Sequence, residues 1–206
     1  MSVTLVGRSS SVFTRVTRIF AAELGVEYSF RALGDLLSTD ISDYAGNPAM
    51  RVPVLETSDG IWFGSLSICR ELARRATTPR RVAWPESSTV CTTCNAQELV
   101  AQAMAVEVTL VVDGLGGGDP VDKQPVKLRQ GLANMLSWLD TNVTEALDGL
   151  PASREVSFLE VNLFCLMLHL EFREVVPTAT YGNLKAFCSR FGGRTSAKQT
   201  LYRFDT

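Results

Sequence analysis

Apolar and polar positions alternate differently on the two sides of residue 77. On the N-terminal side, short apolar runs trade places with amphipathic stretches. Residues 3–7 (VTLVG) read as a short buried strand. Residues 11–25 put Val12, Val16, Ile19, Phe20 and Leu24 on one helical face, and Gly25 closes the helix. Residues 27–32 (EYSFRA) alternate as a second strand, with Tyr28 and Phe30 on one side. A strand, a helix and a strand in succession predict a parallel pair with a crossover helix. Residues 33–50 are rich in Asp, Ser and Gly and read as an irregular loop or short helix. Val52–Glu56 and Ile61–Phe63, joined through Ser58-Asp59-Gly60, predict a hairpin. Residues 65–76 follow as a helix on which Leu66, Cys69, Leu72 and Ala73 share a face.

Beyond residue 76 the pattern changes. Residues 77–90 (TTPRRVAWPESSTV) hold two prolines and many small polar residues, as a linker does. The strand signal then disappears. Helices are expected at about 92–113, 122–148, 155–172, 181–191 and 195–201, with DGLGGGDP (113–120) between the first two. Ser157-x-x-Glu160 before VNLFCLMLHL predicts a capping box opening the most buried helix. The fold class is therefore an α/β thioredoxin-like N-terminal domain (1–76), a linker (77–90) and an all-α C-terminal domain (91–206).

Composition narrows the function classes. Apolar residues make up 46%, charged residues 20%, and the net charge is −2, as in an ordinary globular chain. Arg and Lys are scattered, so no nucleic-acid groove is expected. The basic stretch 73–81 reads as a solvated helix end and linker. No apolar run approaches the ~18 residues of a membrane span, and no signal-peptide layout opens the chain. Five cysteines, an odd number, fit a reducing compartment, and a cytoplasmic location is expected. Cys91-Thr92-Thr93-Cys94 has no second pair and no nearby His, so no metal site is expected. It reads as two incidental cysteines near a helix start or as a redox-sensitive pair. His169, the single histidine, lies inside VNLFCLMLHL and reads as a packed or hydrogen-bonded helix residue.

Two places carry candidate chemistry. In NPAMRVPVLETSDGIWFGSLSICR (47–70), Pro53 enters a strand although proline cannot donate to a ladder, which points to a special, cis-type peptide bond. Such a bond turns the backbone of Val52 outward, toward a peptide-like ligand. Ser65 opens the next helix and presents N–H groups to an anion. The other place is Arg8-Ser9-Ser10-Ser11, between the first strand and the first helix.

Taken together, SVFTRVTRIFAAELGVEY, NPAMRVPVLE, FGSLSI, LEFRE (170–174) and NLKAFCSRFGGRTSAKQT (183–200) resemble, in order and spacing, segments of the cytosolic-type glutathione S-transferases, bacterial members among them. The resemblance implies a glutathione co-substrate and Ser11, at the helix start, as the hydroxyl facing its sulfur, with Ser9 or Ser10 as substitutes. A hydroxyl donor and a helix N-terminus, the latter worth about 0.3–2 kcal/mol, both favour a thiolate. That thiolate would attack a hydrophobic electrophile, in the manner of a detoxification enzyme. Val52, held by Pro53, would exchange backbone hydrogen bonds with the cysteinyl residue. Arg51 would pair with the glycyl carboxylate, and Ser65 would bind the γ-glutamyl carboxylate. A homodimer is expected by the same resemblance. The serine in place of a Cys-x-x-Cys excludes ordinary dithiol exchange at this turn.

One position departs from the family pattern. Gly64 stands where an acidic residue or glutamine usually precedes the serine. Losing that charged hydrogen bond costs about 1.5–3 kcal/mol, which corresponds to roughly 10–100-fold in affinity. That departure leaves open a non-catalytic binding or scaffold protein of the same fold, and Ser9-Ser10-Ser11 near the first turn, by the same resemblance, leaves open a glutathione-dependent isomerase.

Overall fold

Residues 3–115 and 124–205 are described by the structure, a computed structural model. Most of the expected Gly-rich break and the expected helix start at residue 122 lie outside the described residues. The chain forms two compact units, one of residues 1–80 with 193–206 and one of 81–192.

In the first unit, β1 (Thr4–Gly7), α1 (Val12–Leu24) and β2 (Ser29–Ala32) form the expected β-α-β, with β1 and β2 parallel. A 3₁₀ turn (Ile41–Tyr44) lies in the loop, followed by β3 (Val54–Thr57), β4 (Gly60–Phe63) and α2 (Ser65–Arg75). The sheet order is β2-β1-β3-β4, with β3 antiparallel to both neighbours. This is the mixed sheet of the thioredoxin-like pattern.

Local chemistry accounts for these elements. Ser11 caps α1 by accepting from the Thr14 N–H, and Gly25 ends the helix in the left-handed conformation at φ 65°. Val12, Val16, Ile19, Phe20 and Leu24 are buried on its inner face, as their spacing predicts. Gly7 ends β1 so close to α1 that a Cβ there would lie 2.5 Å from Thr14 Cγ2. The inner face of α2 departs from its apolar pattern. Its buried residues are Ile68, Cys69, Glu71 and Leu72, whereas Leu66 and Ala73 are half-buried. Glu71 is tolerated inside because Arg74 and Arg75 both hydrogen-bond its carboxylate.

The second unit holds β5 (Val82–Ala83), a 3₁₀ turn (Pro85–Ser87), α3 (Cys91–Leu115), α4 (Gln124–Asp148), β6 (Val156–Ser157), α5 (Phe158–Arg173) and α6 (Gly182–Phe191). The helices fall where the periodicity put them. The segment expected as a linker is partly structured, because Val82–Ala83 pairs in parallel with Val156–Ser157. Two-residue strands of this kind leave no alternation to read. α5 is largely buried, with Val161, Leu163, Cys165, Leu166, Met167 and Leu170 among its buried residues. Ser157 caps it through the Glu160 N–H. The Glu160 carboxylate is held by Arg154, at 3.0 and 3.1 Å, in place of the reciprocal half of a capping box. His169 is buried and lies 2.7 Å through Nδ1 from Oε1 of the buried Glu107.

The last residues behave differently from the pattern-based expectation. Expected with the helical domain, residues 193–206 belong to the first unit, where α7 (Thr195–Gln199) packs on α1. Polar contacts make the attachment. Arg194 grips Glu23 at 2.7 Å through both Nε and a terminal nitrogen, and Ser196 donates to the same carboxylate. The buried Arg15 donates to the Ala197 carbonyl at 3.3 Å and stacks under Tyr202 with 4.3 Å to the ring centroid. None of these pairings has a periodicity that a sequence pattern could reveal.

Candidate functional site

The strand register gathers the candidate residues of the first unit at one end of its sheet. Val6 of β1 pairs with Val54 of β3, and Val54 pairs with Phe63 of β4. The residues after β1, before β3 and after β4 therefore leave the sheet at the same end. These are Arg8–Ser11, Arg51–Pro53 and Gly64–Ser65.

The β1–α1 turn sorts its three serines by exposure. Ser9 and Ser10 are each 2% exposed, whereas Ser11 is half-buried. Ser9 is occupied on both sides. Its N–H donates to the Asp205 carboxylate at 2.7 Å, and its hydroxyl accepts from Arg18 at 3.4 Å. Ser11 Oγ accepts the Thr14 N–H at 3.3 Å. A hydroxyl that accepts a capping hydrogen bond still has its own proton to donate. The capping role and a ligand-facing role for Ser11 are therefore compatible.

The second cluster is set by Asn47. Its side chain donates to the Arg51 carbonyl at 2.7 Å and accepts from the Ala49 N–H at 3.1 Å, so it holds the loop closed from inside. Asn47 is itself buried. The Val52–Pro53 peptide bond is cis, as the position of Pro53 at the strand entrance suggested. Pro53 is buried, Val52 half-buried and Arg51 exposed. The ladder begins at Val54, so the peptide groups of Val52 lie beyond it.

The third cluster is the start of α2. Gly64 is the N-cap and makes no side-chain capping bond, so Ser65 is the first helical residue and not the cap. The first helical bond runs from the Ile68 N–H to the Gly64 carbonyl at 3.0 Å. The N–H groups of Ser65, Leu66 and Ser67 therefore have no acceptor inside the helix. Amides arranged in this way suit a carboxylate. Gly64 has φ 77° and ψ 142°, in a region that favours glycine. Among the described residues no atom lies within 4 Å of where its Cβ would be.

The structure thus brings all the candidate residues (Ser10, Ser11, Arg51, Val52, Pro53, Gly64 and Ser65) to one sheet end. It also adds two residues that pattern reading did not single out. Asn47 fixes the Arg51–Pro53 loop, and its position before a proline is the signal that marks it. Asp205 reaches the Ser9 backbone from 196 residues away, and no local signal marks it. The acidic residues near the β3–β4 turn are engaged elsewhere. The Asp59 carboxylate accepts from Arg74 at 2.9 Å and from Arg75 at 2.6 Å. Its acidity is strengthened first by the Ser58 hydroxyl and then by these arginines.

Residues 10–75 match the family model of the glutathione S-transferase N-terminal domain. No curated protein matches the chain. Solved structures of the same fold cover nearly the whole chain. A glutathione S-transferase from Methylobacterium radiotolerans, in complex with glutathione sulfonate, superposes with TM-score 0.78 at 18% identity, over 100% of this chain and 97% of that one. A glutathione transferase family member from Pseudomonas fluorescens Pf-5 with bound glutathione gives 0.79 at 17% identity, over 98% and 99%. Gtt2 from Saccharomyces cerevisiae gives 0.73 at 17% identity, over 96% and 100%. At these identities the likeness is one of fold.

Proposed function

We propose that this chain, which belongs to the glutathione S-transferase superfamily by its N-terminal domain and its fold, binds glutathione at the sheet end and activates its thiol for attack on a hydrophobic electrophile. The observation that carries the proposal is the register that sets three different kinds of binding group side by side. They are a half-buried hydroxyl at a helix start, a strand end whose backbone lies beyond the ladder, and an uncapped helix N-terminus.

Each group suits one part of an extended γ-Glu-Cys-Gly. Val52, held by the cis bond to Pro53, exchanges backbone hydrogen bonds with the cysteinyl residue as a short added strand. The N–H groups and hydroxyl of Ser65 take the γ-glutamyl carboxylate. Arg51, exposed at the loop, pairs with the glycyl carboxylate. The Ser11 hydroxyl donates to sulfur. It lowers the energy of the thiolate, and the helix start adds to that effect. No general base is needed in this scheme, because the thiol releases its proton to solvent before attack. The thiolate then adds to the electrophile or displaces its leaving group. Ser10, buried in the same turn, belongs with the glutathione-binding residues and is, with Ser9, the substitute for Ser11.

Homodimerisation belongs to the same proposal. Ile61 and Phe63 on the edge strand β4, with Ile41 and Met50 in the preceding loop, are exposed apolar residues that a second copy would cover. We also place the reaction in the cytoplasm, in keeping with the free cysteines. Among the described residues no helix is long and apolar enough to cross a membrane.

Calorimetry with glutathione, together with conjugation of a generic aryl halide, tests the activity. Saturable binding and turnover are expected, and absence of binding at millimolar glutathione sinks the proposal. Gly64 favours a second reading, a binding or scaffold protein that keeps the fold without turnover. Glutathione binding with no conjugation of any aryl or alkyl halide, and no isomerisation of an activated alkene, would decide for it.

A further inference from the structure

Away from the sheet end, in the second unit, two cysteines stand on the first turn of α3. Cys91 opens the helix and is exposed, and Cys94 is half-buried. Their sulfurs sit in different surroundings. The Asn95 side-chain amide donates to Cys91 Sγ at 3.4 Å. Cys94 Sγ instead donates its own hydrogen to the Ser88 carbonyl at 3.4 Å. Exposure leaves the Cys91 sulfur open to an incoming reagent, whereas the Cys94 sulfur is turned toward the Ser88 carbonyl. The two contacts therefore divide the labour between an exposed attacking sulfur and a sheltered second one.

The backbone geometry allows the two to join. Residues three apart on an α-helix have Cα atoms about 5 Å apart. That falls inside the roughly 4.4–6.8 Å that a disulfide spans. The Cβ atoms of such a pair, about 5–6 Å apart on a regular helix, must approach to about 3.5–4.5 Å. Both cysteines lie on the first turn of α3, so closing the pair disturbs only the end of the helix. The Cys94 N–H is bonded to the Val90 carbonyl at 2.9 Å, which keeps the second sulfur in place.

We propose that Cys91 and Cys94 form a redox-active dithiol that small-molecule disulfides oxidise to an intramolecular disulfide, with Cys91 attacking and Cys94 resolving. The Cys91 thiolate attacks one sulfur of the small disulfide. The S–S bond of that molecule breaks, and one thiolate leaves and takes a proton from water. Cys94 then loses its proton to solvent and attacks the Cys91 sulfur of the mixed disulfide, expelling the second small thiol. Two protein thiols lose two electrons and two protons, and one small disulfide is reduced to two thiols. A bond so exposed at a helix end is readily reversed by excess thiol. This chemistry does not depend on the glutathione site at Ser11.

The test uses the full reduced chain, incubated with glutathione disulfide, then alkylated and digested for mass spectrometry. The peptide holding both cysteines is expected to lose two hydrogens, and a dithiol reductant is expected to restore it. Cys94→Ser is expected to stop with glutathione attached to Cys91. Cys91→Ser is expected to react at Cys94 no faster than the half-buried Cys188 does in the same digest. Hydroxyethyl disulfide, which has no glutathione moiety, is expected to close the pair equally well. Closure with that reagent separates this result from any failure of glutathione binding. Wild-type protein that accumulates a mixed disulfide at Cys91 without closing, or that is modified at Cys94 first, overturns the proposal. Cys94→Ala gives the same reading if the serine variant fails to fold.

Discussion

The Asp205 carboxylate accepts the Ser9 backbone N–H at 2.7 Å, tying the end of the chain to the turn that opens α1. Arg15 under Tyr202 makes a second tie three residues earlier. Asp205→Ala leaves the Ser9 N–H without its charged acceptor, and a loss of about 1–2 kcal/mol is expected. Urea unfolding would read this directly. Melting would fall by about 2–4 °C per kcal/mol. A variant as stable as the wild type would mean that water replaces the carboxylate without loss.

Glu23 makes the third tie, and its effect depends on pH. Partial burial works against its charge, but Arg194 and Ser196 outweigh burial and hold the carboxyl below the usual glutamate range. A carboxylate with a lowered folded pKa adds stability above its unfolded pKa, and that stability is lost as pH falls through the folded value. Arg194→Leu is expected to lower stability by about 1 kcal/mol at neutral pH. The gap between variant and wild type should shrink as pH drops below the ordinary glutamate range. A gap that stays constant to low pH would show that Arg194 acts through packing alone.

Glu107, beside His169, behaves in the opposite way. Burial pushes the Glu107 carboxyl up, and the opposing pull of His169 and Arg173 does not cancel it. Among the described residues its Oε2 has no hydrogen-bond partner. A raised folded pKa means that the folded state holds the proton more tightly than the unfolded chain. Stability from this group is therefore lost as pH rises through the window above the ordinary glutamate range. Glu107→Gln keeps the shape and removes the titration, so its stability relative to wild type should increase with pH across that window. His169→Ala removes the hydrogen-bond partner of the buried Glu107 carboxyl, and a loss of about 1–3 kcal/mol is expected. Chemical denaturation at several pH values checks both.

These ties also mark the limit of what the sequence made legible. The helices and strands were readable because burial repeats at 3.6 or 2 residues, as with Val12, Val16, Ile19 and Phe20 on α1. The Val52–Pro53 bond was readable because proline at a strand entrance has few structural uses, whereas Ser11 stood out only through the family resemblance, since serine at a helix start is an ordinary cap. The attachment of residues 193–206 to α1 rests on single long-range pairs, Arg194 to Glu23 and Asp205 to Ser9, and such pairs have no period. Glu71 was hidden for a related reason. A charged residue inside an amphipathic pattern reads as exposed until Arg74 and Arg75 are seen to neutralise it.

Gly64 allows a direct test of the departure from the family pattern. Its φ of 77° with ψ of 142° disfavours any side chain, although the space around it is open. Gly64→Glu is therefore expected to lower stability by about 1–3 kcal/mol through backbone strain. The new carboxylate would also be available to the glutamyl amino group, with a gain of roughly 10–100-fold in glutathione affinity. Unfolding curves and calorimetry on the same sample separate the two effects. A loss of stability with no gain in affinity would show that the glutamyl amino group lies out of reach of this position.

Ser11 has two roles that one pair of substitutions can separate. As the cap of α1 it accepts the Thr14 N–H, and Ser11→Ala is expected to cost about 0.5–2 kcal/mol of stability, whereas Ser11→Gly costs only a few tenths. As the proposed donor to sulfur it acts through its hydroxyl, which both variants lack. Both should therefore raise the pKa of bound glutathione equally, seen as an upward shift in the thiolate absorbance titration and in the pH–rate profile. Glycine should do this at near wild-type stability. A shift that follows stability, large in the alanine variant and absent in the glycine one, would mean that Ser11 shapes the site only by holding the helix start. No shift in either variant would move the sulfur-facing role to Ser10 or Ser9.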